Sequence, residues 1–233
     1  MAAVRTSSLL PVLTVAFVAG CGQSDTAAPV PPSAIRPAAP QSPVGPVGPV
    51  AGAANAGAAA AADGVDTSSW TVSTAADDPK QAEVGGLVFP KPPTWVWTTP
   101  RMRFRTLQYE VPGVGGGTGA AELVFSLFNG NDGGPTDMNI DRWVGQFRSP
   151  GGGPAEATTS VEDIGGLTGP RMETRGDYQA MGQPAPRPGQ VQFGAIVEAP
   201  GRRVFVRLVG PEATVEAARE DFDRLIAGVM PAG

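Results

Sequence analysis

The chain has 233 residues and a net charge of −5, from 17 basic and 22 acidic residues, with no histidine and one cysteine. That balance lacks the strongly basic face a nucleic-acid partner needs, and the missing residues remove Ser-His-Asp and Cys-His catalysis, the usual zinc ligands and any intrachain disulfide. Its 25 Pro and 32 Gly make up about a quarter of all residues, and the large apolar side chains concentrate after Gly86, which leaves roughly 150 residues able to bury a core unaided.

Residues 1–20 have the layout of an export signal: Arg5 in a short leading segment, then the 12-residue apolar stretch LLPVLTVAFVAG. A span of the bilayer takes about 20 residues, so this stretch is too short to cross. It ends in Val18-Ala19-Gly20-Cys21, which resembles the lipobox of bacterial lipoproteins. That resemblance implies transfer of a diacylglyceryl group to the Cys21 thiol and cleavage before Cys21, with palmitate-type chains as the membrane anchor. Gly22 after the cysteine is similar to lipoproteins sent to the outer membrane.

Residues 21–83 are built mainly from Ala, Pro, Gly, Val, Ser and Thr, with PVGPVGPV at 43–50 and AGAAAAA at 56–62. They lack the apolar periodicity of a helix or strand and read as a disordered tether. Sixty such residues reach about 40–45 Å as a flexible coil. Trp70 and Val72 stand out as an early edge segment lying against the domain.

From 84 to 233 the pattern becomes strand-rich. Leu87-Val88-Phe89 opens it and is stopped by Pro90, Pro92 and Pro93. Residues 101–111, RMRFRTLQYEV, alternate with period two, but the apolar parity shifts near Arg105, which predicts a bulge there or a sheet covered on both faces. The glycine-rich stretch 113–119 turns the chain into 121–128 as an antiparallel hairpin. A helix follows the turn-rich 129–137, with Ile140, Trp143, Val144 and Phe147 as one apolar stripe and Thr136 or Asp137 as N-cap. Strands are expected at about 158–164, 167–176, 190–198 and 203–209, the last two joined by a tight turn at Pro200-Gly201. A closing helix starts at Pro211 and places Val215, Ala218, Phe222, Leu225, Ile226 and Val229 on one side, with Glu220 and Arg224 paired on its outer face.

This order makes an α+β domain, a mainly antiparallel sheet with two packed helices. It resembles the α/β/α sandwich of the PsbP family. The segments WVWTTPRMRFRTLQYEVPG, AELVFSLFNGNDGG, NIDRWVGQF and GAIVEAPGRRVFVRLVGP also resemble a group of uncharacterised bacterial exported proteins. That resemblance implies a fold and carries no catalytic role.

Among candidate sites, Asp132, Asp137 and Asp141 gather around the helix start, as an acid/base pair or a calcium site requires. Acidic residues at a helix start are also the ordinary capping arrangement, which is the preferred reading. Arg101, Arg103 and Arg105 fall on one face of the expected strand, an anion-binding stripe if not a solvated sheet face. Arg142 is expected to pair with Asp137 or Asp141 and Asn139 to hold the turn by side-chain hydrogen bonds, and both join Arg101, Arg103, Asp132 and Asp137 as the candidate ligand or surface site. Trp95 and Trp97 are a candidate binding surface, with one of them expected to fill the core. No cofactor or metal is implied. The sequence thus reads as an exported, lipid-anchored envelope protein, on the outer membrane or periplasmic face, whose domain is a non-enzymatic binding or accessory module. An envelope protein is its expected partner besides the bilayer. A carboxylate-dependent enzyme and a structural spacer are the alternatives.

Overall fold

The computed structural model describes residues 70–115, 118–130 and 132–233. The leader, Cys21 and the tether as far as residue 69 lie outside them. The described residues form two antiparallel sheets. In the smaller, β1 (Gln81–Val84), β2 (Leu87–Pro90) and β11 (Met230–Pro231) run in the order β1-β2-β11. The larger contains β3 (Val96–Trp97), β4 (Leu107–Val111), β5 (Ala121–Asn129), β6 (Phe147–Arg148), β7 (Ala157–Ile164), β8 (Leu167–Tyr178), β9 (Arg187–Ala199) and β10 (Arg202–Pro211). Its order is β3-β4-β5-β10-β9-β8-β6, with β7 also paired to β8. With its helices, the domain has the α+β architecture that the strand-and-helix order predicts.

Alternation along the central strands divides the large sheet into two faces. Leu123 and Phe125 of β5, Val204, Val206 and Leu208 of β10, and Val191, Phe193, Ala195 and Val197 of β9 line the main core. Helices α2 (Glu212–Ala217) and α3 (Arg219–Ala227) cover this face with Val215, Phe222, Leu225 and Ile226, and the small sheet adds Val84, Leu87 and Phe89. Phe89 meets Phe125 edge-on at 5.2 Å between ring centres, joining the sheets. On the opposite face, helix α1 (Thr136–Val144) packs Trp143 against Met172, Ile196 and Phe205.

Several expectations need correction. Residues 70–83, assigned to the tether, contribute to the small sheet: Ser73 N–H donates to Glu83 O at 2.8 Å and Val72 bridges Val84, so Trp70 and Val72 do form an edge segment. The strand expected over 101–111 starts only at Leu107. Before it the chain turns, with Arg105 N–H on Met102 O at 3.2 Å and Phe104 at φ 68°. The parity shift in the sequence marks this turn, so Arg101, Arg103 and Arg105 do not share a strand face. Helix α1 stops at Val144, and Phe147 is buried on β6 instead of continuing the helical stripe. Its N-cap is Pro135, with no side-chain cap. The closing helix is two helices, interrupted at Ala218 (φ −90°, ψ 2°).

Glycine permits one close approach that shapes the sheet edge. At Gly176 (φ 145°) a Cβ would lie 2.1 Å from Arg148 O, so only glycine lets β6 meet the end of β8, where the register shifts.

Candidate functional site

The site residues singled out from the sequence gather around the N-terminal end of α1 and the turn before β4. The β5–α1 connection is built from left-handed glycines, Gly133 (φ 87°) and Gly134 (φ 80°). Asn139, 1% exposed, fastens this loop from inside α1. Its Nδ2 donates to Gly133 O and Pro135 O at 2.8 Å each, and to Gly134 O at 3.4 Å. Arg203, from β10, donates to Gly134 O at 2.9 Å and to Asp132 O. The loop carbonyls thus receive their donors from two buried or half-buried side chains, and the expected turn-holding role of Asn139 is what the geometry contains.

Arg142 departs from expectation. Its Nη2 donates to Asn139 Oδ1, not to Asp137 or Asp141. The reason is helical spacing: Asn139 lies one turn back on the same face, with its carbonyl oxygen free once the amide group has turned to the loop. Asp137 Oδ1 accepts only its neighbour's N–H, from Met138 at 2.8 Å, and Thr136 Oγ1 donates to Glu198 at 2.7 Å. Asp132, Asp137 and Asp141 form no group able to hold a metal ion among the described residues.

A row of aromatic rings runs from the turn before β4 across the second face of the large sheet to α1, with Phe128 and Phe205 from the sheet, Phe104 from the turn and Trp143 from the helix. Phe104 lies 6.2 Å from Phe128, Phe128 4.9 Å from Phe205, and Phe205 5.7 Å from Trp143. Arginines stand over three members: Arg103 over Phe104 at 4.8 Å, Arg203 over Phe205 at 5.9 Å and Arg207 over Trp143 at 5.3 Å. Only the outer end is open, where Phe104 is 63% and Met102 46% exposed. Arg101 and Arg103 beside them are exposed, and neither is among the ion-paired arginines of the described residues. Arg105 is different: it reaches Gln108 at 2.8 Å and Glu122 at 3.2 Å.

At the inner end, Arg207 was not singled out from the sequence. Its Nη2 donates to Gln192 Oε1 at 2.6 Å and Gln146 Oε1 at 2.9 Å, and its Nε to Gln192 Oε1 at 3.0 Å. Burial lowers its pKa; Tyr178 opposes that, while Arg105 and Arg142 add to it. A guanidinium held by neutral amides is oriented without being neutralised. The sequence offered one signal for it: an Arg inside the apolar run of β10, VFVRLV.

Two further polar groups serve the fold. Lys91, 6% exposed, donates to Trp95 O at 2.9 Å and to Pro79 O, and lies 4.6 Å over the Tyr109 ring. Burial lowers its pKa, with Asp78 acting against the shift. Burial likewise pushes the Tyr109 phenol up to about 12. On the helix side of the sheet, Glu173 is raised by burial, but hydrogen bonds from Arg219 and Arg175 outweigh it and hold the carboxyl below its usual range. This network, joined by Glu212 and Glu216, pins α2 and α3 to β8. Trp95, 3% exposed, is the tryptophan that fills the core, while half-buried Trp97 donates to Ser73 O at 3.2 Å.

No protein-family model matches this chain, and no curated protein matches it. Solved structures do. A protein of unknown function from Pseudomonas aeruginosa, PA94, is similar at 12% identity and a TM-score of 0.39, over 59% of this chain and 98% of its own. Cyanobacterial PsbP (CyanoP) from Synechocystis is similar at 13% identity and a TM-score of 0.41, over 63% and 86%. LpqN, involved in cell envelope biogenesis of Mycobacterium tuberculosis, is similar at 9% identity and a TM-score of 0.41, over 63% and 83%.

Proposed function

We propose that this protein is an exported lipoprotein whose α+β domain, 84–233 together with the small-sheet segment from Trp70, is a non-enzymatic binding or accessory module tethered to a bacterial envelope membrane. The single observation that carries the reading is the lone cysteine, Cys21, placed directly after Val18-Ala19-Gly20 and a 12-residue apolar stretch. The two acyl chains of a diacylglyceryl group on that thiol give stable anchoring, since each buried methylene contributes about 0.8 kcal/mol and one chain alone is marginal. No helix among the described residues is long and apolar enough to cross a membrane, so in this reading the anchor is the lipid. Residues 22–69 are the leash. The absence of histidine from the sequence favours a binding role over hydrolytic chemistry.

The test is mass spectrometry of the mature N-terminal peptide from bacterial membranes, with detergent phase partition of the whole protein. An acylated Cys21 at the new N-terminus and partition into the detergent phase are expected, and Cys21→Ala should abolish both. An unmodified thiol, or release from membranes without detergent, overturns the proposal. The binding role is tested by crosslinking in intact cells: a reproducible partner, lost when the α1 face is altered, is expected, and turnover by the purified protein that depends on one polar side chain would refute it.

A further inference from the structure

We infer that the turn Arg101–Phe104 is a membrane-contacting tip that docks the domain on the anionic surface of a phospholipid bilayer. Four consecutive residues, Arg101, Met102, Arg103 and Phe104, are exposed and alternate cation with large apolar side chain. Such a pattern fits the boundary between headgroups and acyl chains, where guanidinium groups meet phosphates while ring and thioether enter the apolar layer. No acidic residue occurs between 98 and 109, although the domain as a whole is near charge balance. The nearest arginine with a carboxylate partner is Arg105, so the two outermost charges are left for an external anion.

Backbone conformation supports the same assignment. Phe104 is the one non-glycine residue with positive φ among the described residues, at 68°. A bulky side chain is disfavoured in this region, and such strain concentrates where it serves a function. Here it turns an aromatic ring outward to 63% exposure, while the contact with Phe128 ties the tip to the rigid aromatic row behind it. Arg, Met and aromatic side chains also populate protein interfaces, but four residues are far fewer than a stable protein contact takes, whereas two cations with two apolar side chains suffice to engage an anionic lipid surface.

This inference goes beyond the lipid anchor and does not need it, so the test uses the full chain with Cys21→Ser, which cannot be acylated at that position. Because Cys21 is the only cysteine, Met102→Cys then provides a unique site for an environment-sensitive fluorophore. Val161→Cys provides the control, on β7, which is 74% exposed at that residue and lies at the other end of the sheet. Vesicles of phosphatidylglycerol with phosphatidylcholine should shift the emission of the label at 102 to the blue, with no shift at 161 and none at either position with phosphatidylcholine alone. Arg101→Gln with Arg103→Gln should weaken the response about thirtyfold in lipid concentration. Phe104→Gly should weaken it about tenfold while keeping the fold, because glycine accepts this φ. Vesicle binding through residues 1–20 alone would leave the label at 102 in water, with no blue shift, or shift both labels alike. No shift at 102, an equal shift at 161, or a shift unaffected by the arginine and phenylalanine changes overturns the proposal, whatever the state of Cys21 in the native protein.

Discussion

Replacing Asn139 tests whether the loop before α1 is held by its amide group or merely packed around it. Two of the Nδ2 hydrogen bonds are well formed, at 2.8 Å to Gly133 O and Pro135 O, and each such bond contributes about 1 kcal/mol net. The bond from Arg142 adds little, because that side chain is exposed and returns to water. Asn139→Ala should therefore cost about 2–3 kcal/mol, a fall in Tm of about 5–10 °C for a domain of this size. Asn139→Asp is nearly isosteric but replaces the donor with an oxygen facing two carbonyls. At pH 7 it should cost more, about 3–5 kcal/mol, since a buried charge is repelled by its former acceptors. The sign with pH follows from linkage: a carboxyl that the fold raises binds its proton more tightly than the unfolded chain does, so the Asp variant should regain stability as pH falls. Urea unfolding followed by tryptophan fluorescence at pH 7 and pH 4.5 measures all three chains. Equal midpoints for the Ala and Asp variants at pH 7, or an Asp variant within about 0.5 kcal/mol of the parent, would refute the donor role.

Arg207→Met should destabilise by about 1–3 kcal/mol, because it orphans Oε1 of the fully buried Gln192; adding Gln192→Leu should recover most of that, and a double-mutant cycle with no coupling would show that the arginine is not held as described. The Tyr109 phenol, raised to about 12, keeps its proton after the unfolded chain has lost its own near 10, so stability should decline between pH 10 and 12. Lys91 contributes in the opposite sense, since its lowered pKa makes stability rise with pH up to the unfolded value of 10.5. Tyr109→Phe should flatten the alkaline decline in denaturation midpoints, and of the two tyrosines one should titrate near pH 12 by phenolate absorbance.

Much of this architecture was legible in the sequence because alternation is a strong signal wherever one sheet face is buried. The strands from 157 to 211 fall close to their expected places, and the tight turn at Pro200-Gly201 joins β9 to β10. Errors arose where two periodicities overlap. RMRFR alternates like a strand, yet its parity break encodes a turn. Phe147 continues the helical spacing of Trp143 and Val144, but Gly145 ends the helix and lets Phe147 join β6, stacked 4.8 Å from Tyr178. Short edge elements such as β1 and β11 were missed because two to four residues carry too little pattern; they are fixed by their partner, β2. In the candidate site, Asn139 was legible from its place beside a glycine turn. The choice of Arg142 for Asn139 over a carboxylate, and the amide-held Arg207, depend on which side chains tertiary packing brings to the same face.

The ladder between β2 and β11 pairs Leu87 with Pro231 and Val88 with Met230, so the first strands of the domain are completed by a strand that follows helix α3. Loops of such length close late, after more local hairpins have formed. During synthesis, amino end first, this delays closure of the small sheet until β11 has left the ribosome. Synthesis and final locking are thereby placed in order, and removal of β11 should leave one edge of β2 unpaired while its ladder with β1 remains.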